Sequence, residues 1–293
     1  MNDSELVTAI AAGDPAGLAA AYDKYAAPLY GYCRWMLRDP WDTAEVLSET
    51  FVIAAAEAGD LKDASQLRAR LYATARAECY RLLDTAEAGF DDTAGAGKRR
   101  AEQAEVRQLI RETLAELKPE EREVIELSIR HNLDETELAA VLDVSRSRAH
   151  ALASRAREHL EKALGALLVA RTGRQSCPEL RALLAGWDGR LTVPTGKLIA
   201  RHVGHCETCA RHKPGTLRPE MVARLMPLAA LPPGLREPIL EDAAAGWSPD
   251  GTSGPSQTRR TGVPGPAGSQ RARVSLSWSA TRSDPGQQQP SRP

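Results

Sequence analysis

Two helical patterns separated by a three-residue break constrain this chain more than any other feature. Asp134-Glu135-Thr136-Glu137 has the acceptor-x-x-Glu form of a capping box, which secures a helix N-terminus through reciprocal hydrogen bonds. The pattern runs to Leu142, breaks at Asp143-Val144-Ser145, and restarts at Arg146 to continue to about Leu164. Two helices joined this tightly form a helix-turn-helix unit. On the second helix, Ala149, Ala153, Ala156 and Leu160 fall on one face, which predicts a packed side of small residues. Arg146, Ser147, Arg148, His150 and Ser154 fall on the other, where they offer the donors that a major groove accepts. Arg155 and Arg157 lie further along and suit phosphate contacts, which supply affinity rather than sequence choice. A solvated helix of a bundle would carry similar charges. It is the agreement of cap, turn and face that favours DNA reading.

The remaining chain repeats the helical theme. Leu18, Tyr22, Tyr25, Leu29, Tyr32 and Cys33 recur at helical spacing, as do Val46, Leu47, Thr50, Phe51 and Ala54, with Asp39-Pro40 as a break between them. Leu67, Leu71, Ala75 and Leu82 mark another helix, and Pro119-Glu120-Glu121 reads as a helix start. Residues 84–104 lose periodicity and take the composition of a flexible linker. From residue 246 onward Pro, Gly, Ser, Gln, Thr and Arg dominate, which predicts a disordered tail. The expectation is an all-α protein: helical domains at 1–83 and 105–168, a small helical domain at 176–245, and the tail at 246–293. Ala, Leu, Arg and Glu are strong helix formers and abundant here, and aromatics make up only 4%, which fits that class.

Charge and hydropathy exclude several roles. The formal net charge is −1, so a DNA-binding surface has to be local. The N-terminal run Met1-Asn2-Asp3-Ser4-Glu5-Leu6 lacks the plan of a signal peptide, and the apolar run Ala163 to Ala170 is too short to cross a bilayer. A cytoplasmic, non-membrane protein is expected. There is no phosphate loop and no convincing nucleophile–base pair, so an enzyme is not expected.

A second chemical signal lies in the third module. His202-x3-Cys206-x2-Cys209, with Cys177 upstream, provides four ligand types at spacings that one tetrahedral zinc can use. A helical turn brings His202 and Cys206 to one face, and four protein ligands leave no open position for catalysis. The cysteine count is 5, an odd number that argues against a closed disulfide framework. His205 and His212 are alternatives to His202 by spacing alone. Cys33 and Cys79 sit on apolar helix faces and read as core residues.

These motifs resemble a known family. Tyr22-Asp23-Lys24-Tyr25-Ala26-Ala27-Pro28-Leu29-Tyr30, Asp42-Thr43-Ala44-Glu45-Val46-Leu47-Ser48-Glu49-Thr50-Phe51 and Leu117-Lys118-Pro119-Glu120-Glu121-Arg122-Glu123-Val124 resemble the two conserved domains of an extracytoplasmic-function type bacterial sigma factor. The resemblance covers about residues 15–165 and implies a partner, the RNA polymerase core, together with promoter DNA. It also implies that Asp42, Glu45, Ser48, Glu49 and Phe51 contact core polymerase. The chain departs from the family at Arg70, Ala77 and Arg81, where Trp, Asn and Asp are usual on the helix that handles the melted promoter element. These departures motivate an alternative, a helix-turn-helix regulator or adaptor that does not open promoters.

The third module is similar to the zinc-binding anti-sigma domain, through Cys177-Pro178-Glu179-Leu180, Leu183-Leu184-Ala185-Gly186-Trp187-Asp188-Gly189-Arg190-Leu191 and His202 to Cys209. That resemblance implies one structural zinc and an intramolecular contact with the sigma-like domains. The family's partner-binding helix corresponds to Pro219 to Met226, where Met221, Leu225 and Met226 make an apolar stripe. Completing the local core is the other use of such a stripe.

Overall fold

Asn and Asp caps and prolines set the first helix boundaries. Asn2 and Glu5 form a capping box on α1 (Asp3–Ala11), and Asp14 followed by Pro15 starts α2 (Pro15–Leu37). Arg38 ends α2 in left-handed geometry (φ 62°), Asp39 accepts from the amides of Trp41 and Asp42, and Pro40 opens α3 (Pro40–Glu57). A fourth helix, α4, spans Leu67–Thr85. These four pack around Leu29, Tyr32, Leu47, Phe51, Leu71 and Ala75, all at most 1% exposed. Each large apolar side chain so buried contributes about 1.5–3 kcal/mol. Gly17 lets α1 and α2 approach closely, because a Cβ there would lie 2.5 Å from that of Ala9.

The structure is a computed structural model and describes residues 1–61, 63–85, 110–111, 113–114, 117–189, 192–211 and 228–245. Most of the expected linker, the Met221-Leu225-Met226 stripe, His212 and the C-terminal tail lie outside the described residues. The chain divides into a unit Met1–Asp250, to which all the described residues belong, and a unit Gly251–Pro293. Among the described residues the regular structure is helical, and no helix is long and apolar enough to cross a membrane.

The second block starts with α5 (Pro119–Ile125), which widens into a π-helical turn at Glu126–Arg130. Next come α6 (Glu135–Leu142) and the long α7 (Arg146–Thr172). α6 packs on both α4 and α7. The sequence pattern ends the last helix near Leu164, but it continues to Thr172. Its extra turns are held because Leu164, Leu167 and Ala170 are buried with Cys177, Leu180, Leu184 and Ile199 in a second, smaller core.

That core belongs to three short helices, α8 (Pro178–Leu183), α9 (Val193–Val203) and α10 (Glu207–Arg211). A final helix, α11 (Arg236–Ala245), is packed on α2 and α3. Its Ile239 and Ala243 join the first block's core, Ser48 and Asp242 are 3.2 Å apart, and Arg236 forks onto Asp23 at 2.7 and 3.0 Å. Hydrogen bonding from the Arg236 guanidinium, with its charge, holds the Asp23 carboxyl below the usual range against the opposing effect of burial. Just upstream, Leu228 sits close to Gly31, where an added Cβ would lie 3.2 Å from the leucine's.

Candidate nucleic-acid interface and metal centre

The helix-turn-helix is built from local capping chemistry. Asp134 accepts from the amides of Thr136 and Glu137, and Glu137 accepts in return from the Asp134 amide, closing the capping box. Asp143 takes left-handed geometry (φ 53°) after α6, a conformation that Asp reaches more cheaply than most residues. Ser145 caps α7 by accepting from the Arg148 amide at 3.3 Å. Ala149, Ala153, Ala156 and Leu160 are buried on the side that faces the block's core, with Leu138 and Val141. Arg146, Ser147, Arg148, His150, Ser154, Arg155 and Arg157 are all exposed. The outer face of α7 is therefore a row of donors with cationic flanks, open to solvent.

One acidic residue on that surface escaped the sequence reading. His150 Nδ1 lies 2.6 Å from Glu135, and Arg146 Nε lies 3.9 Å from the same carboxylate. The hydrogen bond from His150, then the charges of His150 and Arg146, hold the Glu135 carboxyl below its ordinary range. Glu135 thus orients two residues of the donor row from the first turn of α6. Its place inside the capping box was the available signal, but a cap pattern does not reveal which neighbour a side chain reaches.

Residues 107–160 match a family model, Sigma-70, region 4. The match takes in the helix-turn-helix, and that segment is similar to this region of sigma factors. It supports a sigma-factor or DNA-binding role in transcription initiation and points to a non-enzymatic protein. No curated protein matches the chain.

The residues expected to meet core polymerase are divided by the fold. Asp42 and Glu45 are exposed on α3, and Glu49 is half-buried. Burial, then the neighbouring Asp39 and Glu45, push the Asp42 carboxyl upward, so this end of α3 is an acidic patch. Ser48 is only 8% exposed and is bonded to Asp242. Phe51 corrects the expectation. It has no exposed surface and packs on Tyr22 with ring centroids 5.2 Å apart, so in this structure it is a core residue and not a surface one.

The four metal candidates converge. One ligand atom from each of Cys177, His202, Cys206 and Cys209 lies within 4.8 Å of all the others. His202 Nε2 is 3.3 Å from both Cys177 Sγ and Cys209 Sγ, and Cys177 Sγ is 3.9 Å from Cys206 Sγ. Two metal–sulfur bonds of ~2.3 Å at the tetrahedral angle set their sulfurs ~3.8 Å apart, so the group is close to the shape an ion imposes. His202, rather than His205, completes the set. His205 lines the open cleft beside it with Leu183, Leu198 and Arg201.

Local structure fixes one of these sulfurs and favours the thiolate at another. Cys177 is the N-cap of α8 and accepts from the Leu180 amide at 3.4 Å. At the start of α10, the Cys209 amide lowers the Cys206 pKa, with further help from the neighbouring thiols and the Thr208 amide. Burial pushes the Cys209 thiol up to about 12, and crowding by the other two sulfurs adds to the rise. A bound cation reverses that last effect by neutralising the crowded sulfurs. The second nitrogen of His202, Nδ1, lies 3.6 Å from the exposed Glu179 carboxylate, while Nε2 faces the cluster. This Cys3His group can hold one metal ion.

Proposed function

We propose that this protein is a sigma-type factor that directs RNA polymerase to specific promoters and carries its own regulatory module. The observation that carries the reading is the exposed donor face of α7 within the segment similar to region 4. Arg146, Ser147, Arg148, His150 and Ser154 read base edges, and Arg155 and Arg157 hold phosphates. Asp42, Glu45 and Glu49 present the acidic end of α3 to core polymerase. Cys177, His202, Cys206 and Cys209 hold a structural zinc; when bound, it supplies folding energy to a module with a small core and no catalysis.

Support for regulation comes from α11. Asp242 occupies Ser48, and Arg236 and Ile239 secure the helix beside the face that polymerase would use. Because α11 is part of the same chain, its effective concentration is near millimolar, so even a weak contact competes. Purified protein should co-elute with core polymerase, and Ile239→Arg, which unseats α11, should bind more tightly. Failure of both forms to bind core, or to initiate on any genomic template, defeats the reading.

An adaptor that binds DNA without opening it is the second reading. On the exposed side of α4, Arg70 pairs with Glu57 and Arg81 with Glu78, so this face carries local ion pairs rather than the aromatic group usual in the resembled family. Permanganate footprinting on a promoter bound with core polymerase separates the two readings, because only the first gives reactive, unpaired thymines.

A further inference from the structure

Glu135 bridges two turns of the donor row. It lies in the first turn of α6, directly after the N-cap Asp134, and its two carboxylate oxygens face different residues of α7. Oε1 is 2.6 Å from His150 Nδ1, and Oε2 is 3.9 Å from Arg146 Nε. Arg146 and His150 are four residues apart, so they lie one above the other on the exposed face of the helix. The frame beneath them is firm. Asp134 and Glu137 close the capping box, and Leu138 and Val141 of α6 are buried with Ala149 and Ala153 of α7.

This contact decides where the imidazole keeps its proton. An ionised carboxylate only accepts hydrogen bonds, so the ring nitrogen that meets it has to carry hydrogen. The Glu135 carboxyl is held below its ordinary range, first by the hydrogen bond from His150, and so it is ionised here. A neutral imidazole has one donor and one acceptor nitrogen. With hydrogen on Nδ1, Nε2 is bare and accepts. The His150 side chain is 63% exposed, so an incoming group can reach the ring.

The major groove distinguishes an acceptor from a donor. Cytosine N4 and adenine N6 are amino donors, whereas guanine presents only the N7 and O6 acceptors there. A histidine free to exchange tautomers suits either kind of edge, but one fixed by a neighbour suits only one. We propose that Glu135 is a positioning residue that locks His150 in the Nδ1–H tautomer, so that Nε2 selects a base with an exocyclic amino group, cytosine or adenine, at one position of the site. The base selection rests on the DNA-reading function proposed above; the tautomer lock does not. Protonation of the ring keeps the bond to Glu135 and adds a hydrogen at Nε2, which turns the preference toward guanine. The charged groups around the ring are Glu135 and Asp134 from α6, and Arg146 and Arg157 on its own helix; Asn132 lines the same cleft of about 300 Å³.

The first measurement needs no DNA. The full-length chain has 6 histidines, and nuclear magnetic resonance of isotope-labelled ring nitrogens, with His150→Ala as the reference, identifies the His150 signals. At a pH where those signals report a neutral ring, Nδ1 should resonate as a protonated nitrogen and Nε2 as a bare one. Glu135→Gln keeps the shape but can donate as well as accept, so both nitrogens should move toward a mixture of tautomers. His159, whose Nδ1 meets Glu121 at 2.8 Å on the same helix, should keep its signals. A neutral wild-type ring protonated at Nε2, or one unchanged in Glu135→Gln, would overturn the lock.

The second measurement selects from randomised duplexes with the full-length protein bound to core polymerase. At the position whose preference His150→Ala abolishes, the wild type should favour cytosine or adenine over guanine by about tenfold, the scale of one mismatched base pair. Glu135→Gln should lose that preference and keep those at other positions. Lowering the pH until the ring signals report protonation should move the wild-type preference to guanine. Guanine selected while the ring is neutral, or an unchanged preference in Glu135→Gln, overturns the base selection. The expected ring signals with no DNA bound by any form would defeat the DNA-reading function, and the base selection with it, while the lock stands.

Discussion

The two halves of α7 are one continuous helix with different supports. From Arg146 to Leu160 the helix lies on the second block's core through Ala149, Ala153 and Ala156, and its outer face is exposed. From Leu164 to Ala170 it is buried in the small core that also contains Cys177 and Cys209. The first half is held by close packing of small residues against a capped neighbour, the second by a module whose four convergent ligands form part of its own interior. The half with the exposed donor face therefore needs no metal to be a helix. The distal half lies in a small core that includes two of the candidate ligands, Cys177 and Cys209.

Metal removal should break this comparison most strongly. Structural zinc contributes roughly 10–16 kcal/mol to small modules, so chelation, or Cys206→Ser, should melt α8 to α10 and fray α7 beyond about Leu164. Hydrogen exchange should show protection lost there and kept at Ala149 to Ala156. Equal loss along the whole of α7 would show that its halves are not separable.

A cavity in the distal core should act next. Leu167→Ala removes a side chain with no exposed surface and should cost about 2–5 kcal/mol in that module. Metal affinity should fall with it, read by competition with a chromophoric chelator, while binding of DNA fragments by the first half is retained.

The capping box gives a smaller and more local effect. Asp134→Ala removes the acceptor for two α6 amides and should lower stability by about 1 kcal/mol, measured by urea unfolding. Because α6 supports only the first half of α7, metal affinity should not change.

Acid should act on a contact remote from both halves. Arg236 depresses the Asp23 pKa, so the pair's contribution is present above the unfolded carboxylate value of ~3.9 and is lost as pH falls through the lower folded value. Exchange of α11 amides should therefore rise below about pH 4 relative to those of α6, and Asp23→Asn should remove that acid-specific rise. Both groups are substantially exposed, so the effect is the smallest of the four.

Much of the architecture was legible because it depends on neighbours in the chain. The capping run at Asp134, the turn at Asp143 and the alanine face of α7 each involve residues at most a few turns apart, and the Cys3His spacing narrows a metal set without a fold. The same locality explains the miss at Phe51 and why His202 kept alternatives. A helical period does not say whether Phe51 faces a core or a partner, and spacing does not choose between His202 and His205. It also stops α7 near Leu164, because the residues that cover Leu167 come from α8 and α9.

The sequence by itself determined a helical protein, a helix-turn-helix with a basic face, and a set of metal ligands with one position open. Tertiary structure alone decided the choice of His202, the seating of α11 on α3 and the burial of Glu123 beneath α4. Ser48 meets Asp242 across 194 residues, and Arg76 meets Glu123 across 47. Pairings at such separations leave no periodic trace, since each side chain satisfies its own helix whatever lies opposite. They form only when packed helices exclude water, leaving a buried charge or hydroxyl to find its partner within the protein.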